Sequence, residues 1–136
     1  MVELEDAINA RFTAQSLGTT IPGGLHKDLA PEGTAMPYAT YSFIGAPRSQ
    51  SYATAPYTAH VQFGVHGTNS RAAGVLAEAL TDAMDLNLTI AGGFCISSLV
   101  LMEPIGMRAP EDDKTARDSS GNVVWSWHSE IEYTVQ

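Results

Sequence analysis

Residues 123–135, Val-Val-Trp-Ser-Trp-His-Ser-Glu-Ile-Glu-Tyr-Thr-Val, alternate along most of their length. Trp125, Trp127, Ile131, Tyr133 and Val135 share one parity, and Ser126, His128, Glu130, Glu132 and Thr134 share the other. Successive side chains of an extended strand point to opposite faces, so this stretch is a strand with one dry face and one wet face. Both tryptophans of the chain stand on the dry parity. Large aromatic side chains bring the most buried area per residue, so the core is expected against this strand. Earlier strands must then come to it.

Leu4, Ile8 and Phe12, with Ala7 beside them, recur at helical spacing, and Glu3, Glu5 and Asp6 stand where a helix N-terminus favours negative charge. The expected helix covers residues 2–13. Residues 21–37 carry Pro22, Gly23, Gly24, Pro31, Gly33 and Pro37, too many breakers for more than two or three strand-like residues near Ile21. A connection this long in a compact domain tends to be functional or held by a partner.

Residues 38–44 are rich in aromatic and β-branched side chains. Residues 57–66 alternate, with Ala59, Val61, Phe63 and Val65 on one parity and His60, Gln62 and His66 on the other. Both read as strands. Ala72, Val75, Leu76, Ala79, Leu80, Ala83 and Met84 then repeat at three and four, which predicts a helix ending near Asp85, with Thr68 or Asn69 as its cap. Residues 94–103 are apolar on both parities for much of their length, which predicts a strand in the middle of the sheet or beneath a helix, closed by Pro104. Long polar loops are expected at 46–56 and 104–122. The order α-β-β-α-β-β predicts an α+β fold, an antiparallel sheet of about four strands with two helices packed on one face, in a single domain over residues 1–136.

At 136 residues the chain is long enough to form one core without disulfide staples. No apolar run approaches the ~20 residues of a membrane-spanning helix. The acidic opening Met-Val-Glu-Leu-Glu-Asp does not read as a secretory signal, and one cysteine, Cys95, cannot form an internal disulfide. The formal net charge is −8 and Lys and Arg are not clustered. That balance disfavours gripping nucleic acid or an anionic membrane, since both are bound through concentrated positive charge. It permits DNA to pass close by, because an acidic wall repels the strand.

No catalytic set emerges from the residue types. Cys95 has neither a base nor basic neighbours in sequence. There is no Gly-x-Ser-x-Gly elbow, and Ile21-Pro22-Gly23-Gly24 lacks the Lys-Ser/Thr of a phosphate loop. Glu111, Asp112 and Asp113 lack the alternating carboxylates of a calcium loop. His60 or His66 with His128 and Glu130 suggests a metal site. The two histidines on one strand, however, stand about 20 Å apart at ~3.3 Å per residue, and an alternating polar face produces the same letters. No cofactor is implied.

Ile21-Pro22-Gly23, then Ala30-Pro31-Glu32-Gly33, then Met36-Pro37-Tyr38-Ala39-Thr40-Tyr41 resemble the opening of the tail-completion, or tail-terminator, proteins of long-tailed bacteriophages. The likeness returns at Val61-Gln62-Phe63-Gly64-Val65, at the alanine- and leucine-rich helix, and at a final strand after a polar loop. The Trp-rich final strand departs from the pattern. The resemblance implies a non-enzymatic virion protein, assembled in the host cytoplasm, whose copies form a ring of typically six. Such a ring caps the head-proximal end of the tail tube, ends its polymerisation and meets the head connector or stopper protein. DNA passes through its lumen without specific binding. On this reading Arg48, Tyr52, Arg108, Glu111, Asp112, Asp113 and Arg117, in or beside the two long loops, are candidate contacts between subunits or with the tube. The alternatives are another neck component, such as a head-tail stopper, and a small metal-dependent enzyme.

Overall fold

The computed structural model describes residues 2–44, 57–85, 95–108 and 123–135. Helix α1 (Val2–Ala14) is followed by the single turn α2 (Leu17–Thr20), then by strands β1 (Leu25–Lys27), β2 (Tyr38–Ile44) and β3 (Tyr57–Gly67). Helix α3 (Ser70–Met84) and strands β4 (Cys95–Arg108) and β5 (Trp125–Val135) complete the order. The strands form one sheet in the order β1-β2-β3-β5-β4. The fold is α+β, with helices on one side of the sheet, as the periodicity predicts.

Strand β5 lies between β3 and β4 and pairs antiparallel with both. Its odd residues face the helices: Ile131 and Tyr133 are fully buried and Val135 nearly so. Ser129 breaks the apolar run on that face, and it is buried too, with its hydroxyl 2.8 Å from that of Thr81 on α3. The core joins these side chains to Val61, Phe63 and Val65 of β3 and to Leu4, Ile8 and Phe12 of α1. Helix α1 thus buries the stripe its spacing predicts. The C-terminal carbonyls of α3, which have no partner within the helix, are satisfied from two sides. Arg11 Nε donates to Ala83 O at 2.9 Å, and the Tyr133 hydroxyl donates to Met84 O at 2.7 Å. At the other end of α3, Asn69 Oδ1 accepts from Ala72 N at 2.9 Å, the cap expected of Asn69.

Three features differ from the sequence reading. The breaker-rich segment contains a real strand, β1, which runs parallel to β2 and makes a fifth strand. It starts just after Gly23, where a side chain would collide with Ala35 O at 2.1 Å and Tyr38 Cβ at 2.5 Å, so only glycine lets the two segments meet. Second, α3 is rotated relative to its apolar letters. Its buried face is Ala73, Gly74, Ala77, Leu80, Thr81 and Met84, while Val75 is 58% exposed. Small residues there let the helix approach the sheet and admit the indole of Trp127, which lies against Gly74.

Third, β4 is an edge strand, although it does pack beside α3, and Pro104 does not close it: the strand continues to Arg108. An edge tolerates proline because the missing N–H costs no ladder bond, and the register shifts between Met102 and Ile105 take up the irregularity. Its apolar letters on both parities do not signal burial on both faces, since Leu99 and Ile105 are more than half exposed. The polar loop expected from residue 104 therefore cannot start before residue 109, and the loop expected at 46–56 lies outside the described residues.

Candidate functional site

The sheet face turned away from the helices carries the even residues of β3 and β5, the polar parity of both strands. The register sets His60 opposite Glu132, Gln62 opposite Glu130, Gly64 opposite His128, and His66 opposite Ser126. His60 Nε2 meets Glu132 Oε2 at 2.7 Å. Two rows further along, Gly64 leaves the space that the His128 ring fills. A Cβ at residue 64 would stand 2.9 Å from His128 Nδ1 and 3.1 Å from Thr40 Oγ1.

His66 is held on both ring nitrogens. Nε2 lies 3.0 Å from Thr40 Oγ1 and Nδ1 lies 2.8 Å from Ser126 Oγ. A neutral imidazole has one donor and one acceptor, and a hydroxyl can serve as either, so both nitrogens are satisfied in either tautomer. The Tyr38 ring stacks on it at 4.8 Å between centroids, and the His128 ring meets it edge-on at 5.7 Å. Burial, reinforced by His128, lowers the His66 pKa to about 4. Burial also lowers that of His128 and raises that of the Tyr38 phenol. Both imidazoles are thus neutral at pH 7. Residues 28–30 overhang this cluster and enclose a cleft of about 150 Å³ with Tyr38, Gln62, His66 and His128.

The Ser126–His66 pair has the spacing of a nucleophile and its base. The second nitrogen of His66 meets the Thr40 hydroxyl where a triad would have a carboxylate, and burial lowers the pKa of the imidazole to about 4, which weakens it as a base. Nor does the face assemble the metal set considered from sequence. His60 is engaged by Glu132, His66 by two hydroxyls, and Glu130 stands opposite Gln62. Among the described residues no group of three or more His, Cys, Asp or Glu could hold one ion. The arrangement is a hydrogen-bonded polar face with a small cleft.

Of the residues singled out as candidate contacts, Arg108 ends β4 opposite Trp125. Arg48, Tyr52, Glu111, Asp112, Asp113 and Arg117 lie outside the described residues. The sequence places His66 and His128 on one polar face, and the structure brings them together; that Tyr38, Thr40 and Ser126 join them is not part of that reading. The cluster's signal in the sequence is the glycine at position 64, the gap in the polar parity of β3 into which a side chain from the next strand can fold.

No protein-family model matches the sequence, and a search of curated proteins finds no match. Among solved structures the fold is similar to a chain of the "Virion of native gene transfer agent (GTA) particle". The TM-score is 0.70 at 16% identity, and the match covers 98% of this chain and 94% of that one. At that identity the likeness establishes a shared fold.

Proposed function

We propose that this chain is a structural virion protein, a single-domain tail terminator whose copies form a ring of six on the head-proximal end of a tail tube. The observation that carries the reading is the fold shared, nearly end to end, with a chain of a virion particle. The order of the Pro-Gly segments, the Pro37-Tyr38 strand opening and the polar-loop-to-strand ending supports it. In this role the ring stops tube polymerisation and presents a surface to the head connector or stopper protein. Residues 46–56 and 109–122, with Arg48, Tyr52, Arg108, Glu111, Asp112, Asp113 and Arg117, make the contacts between copies and with the tube.

The charge fits a conduit. A chain of net charge −8 repeated around a lumen repels passing DNA and so does not retain it. The role requires no catalysis and no cofactor, and places the protein in the neck of the particle. Native mass spectrometry over a concentration series, with negative-stain imaging, tests it. A closed ring with a central hole is the expected result. A monomer at every concentration, unchanged when tail tubes are present, would overturn the reading.

A further inference from the structure

Two apolar patches lie on opposite sides of the body formed by sheet and helices. On the open sheet face, Leu99 and Ile105 of β4 are 58% and 54% exposed. The register places Leu99 beside Glu132, Met102 beside Glu130 and Ile105 beside His128, so the three form one stripe along the edge strand. On the outward side of α3, Val75 is 58% exposed and lines, with Arg71, Ala72 and Leu76, a shallow depression of about 450 Å³. Large apolar side chains exposed together on a soluble surface mark a contact surface.

Charge distinguishes which partner fits. Among the described residues, Arg11 donates to the Ala83 carbonyl and Lys27 pairs with Glu5, whereas Arg71, beside the depression, has no anionic partner. On the opposite patch Glu132 is engaged by His60, whereas Glu130, beside Met102, has no cationic partner. Copies carrying −8 each repel one another, and a contact that sets a cation against a carboxylate reduces that repulsion and fixes the register. Arg71 and Glu130 are such a cation and carboxylate, each flanking one of the two apolar surfaces.

We propose that the β4 stripe of one copy seats on the Val75 depression of the next, with Arg71 of the one against Glu130 of the other. This rests on the ring reading and adds a second contact between copies to the one assigned to residues 46–56 and 109–122. The two patches differ, so the contact is head-to-tail and each copy offers one of each, the heterologous kind of contact from which rings are built.

The test is a charge exchange in the full chain. Arg71→Glu and Glu130→Lys, each alone, are expected to weaken assembly by on the order of tenfold or more in a sedimentation or native mass series. Both are surface substitutions, so urea unfolding should stay close to that of the unaltered chain. An equimolar mixture of the two variants restores assembly, because every contact between unlike copies again joins opposite charges. Single variants that assemble normally, or a mixture that fails to recover, would overturn the proposal while leaving the ring itself standing. An unaltered chain that never assembles, alone or with tubes, would remove both.

Discussion

The indole of Trp127 occupies the space that a side chain on Gly74 would need: a Cβ there would stand 2.9 Å from Trp127 Cζ2. The same ring is bounded on its other side by Gly106 of β4, where a Cβ would come within 2.4 Å of Cε2. A helix glycine and an edge-strand glycine together make room for one tryptophan, and the close approach of α3 to the sheet depends on both. Two substitutions separate the effects. Gly106→Ala gains little from strand propensity and forces the ring to move, at a cost of about 1–3 kcal/mol. Gly74→Ala suffers a milder clash and recovers about 1 kcal/mol of helix propensity, so its net loss should be the smaller. Urea unfolding followed by tryptophan fluorescence gives both values; a Gly74→Ala loss exceeding that of Gly106→Ala would contradict the packing described.

The buried hydroxyl pair makes an asymmetric prediction. Thr81 Oγ1 donates its one proton to Ala77 O at 2.8 Å, so Ser129 must be the donor between the two hydroxyls. Thr81→Val removes the acceptor and strands a buried donor, costing about 1–3 kcal/mol. Ser129→Ala leaves Thr81 bonded to Ala77, and its cost should be nearer 1 kcal/mol. The double substitution should cost less than the sum of the two. Additive losses in denaturant unfolding would show that the hydroxyls do not depend on each other.

His66 makes stability depend on pH. Its folded pKa, about 4, lies below the ordinary 6.5, so the unfolded chain takes up a proton first as pH falls. The neutral ring's contribution is therefore complete above pH 6.5, declines between 6.5 and about 4, and changes no further below that. Over that window the loss is on the order of 3 kcal/mol. His128, shifted the same way by burial, adds to it. In His66→Gln the slope of stability against pH between 6.5 and 4 should flatten relative to the parent chain. An equal slope in both would mean that His66 does not stay neutral in the folded protein.

On the proposed reading, residues 109–122 contribute to assembly and not to folding. Deleting residues 111–119 should leave circular dichroism and the unfolding midpoint close to those of the intact chain, while ring formation or tube capping is lost. Normal assembly by the deletion variant would remove the loop from the contact surface.

What could be read from the sequence follows from which interactions are local. The alternation in β3 and β5 gave their faces correctly, because parity depends only on the chain's own pleat. The α1 stripe Leu4, Ile8 and Phe12 was equally direct. Strand β1 was not readable: three residues carry no period, and its pairing depends on β2, which lies beyond a run of prolines and glycines. The facing of α3 was misjudged because Ala73, Gly74 and Ala77 are buried for close approach, a property of the partner surface, while Val75 is apolar and outward. The edge position of β4 is hidden for a similar reason, since apolar letters do not distinguish a covered strand from an exposed edge. The polar face itself was legible, but the meeting of His66 with Ser126 and of His128 with Gly64 depends on register between strands far apart in sequence.

The most direct test of the terminator role is the length of tail tubes grown from the cognate tube protein in the presence of this chain. The account predicts tubes that stop growing once a ring-shaped density sits at one end, with mean length falling as the ratio of this chain to tube protein rises. Tubes of unchanged length with bare ends at every ratio would contradict it.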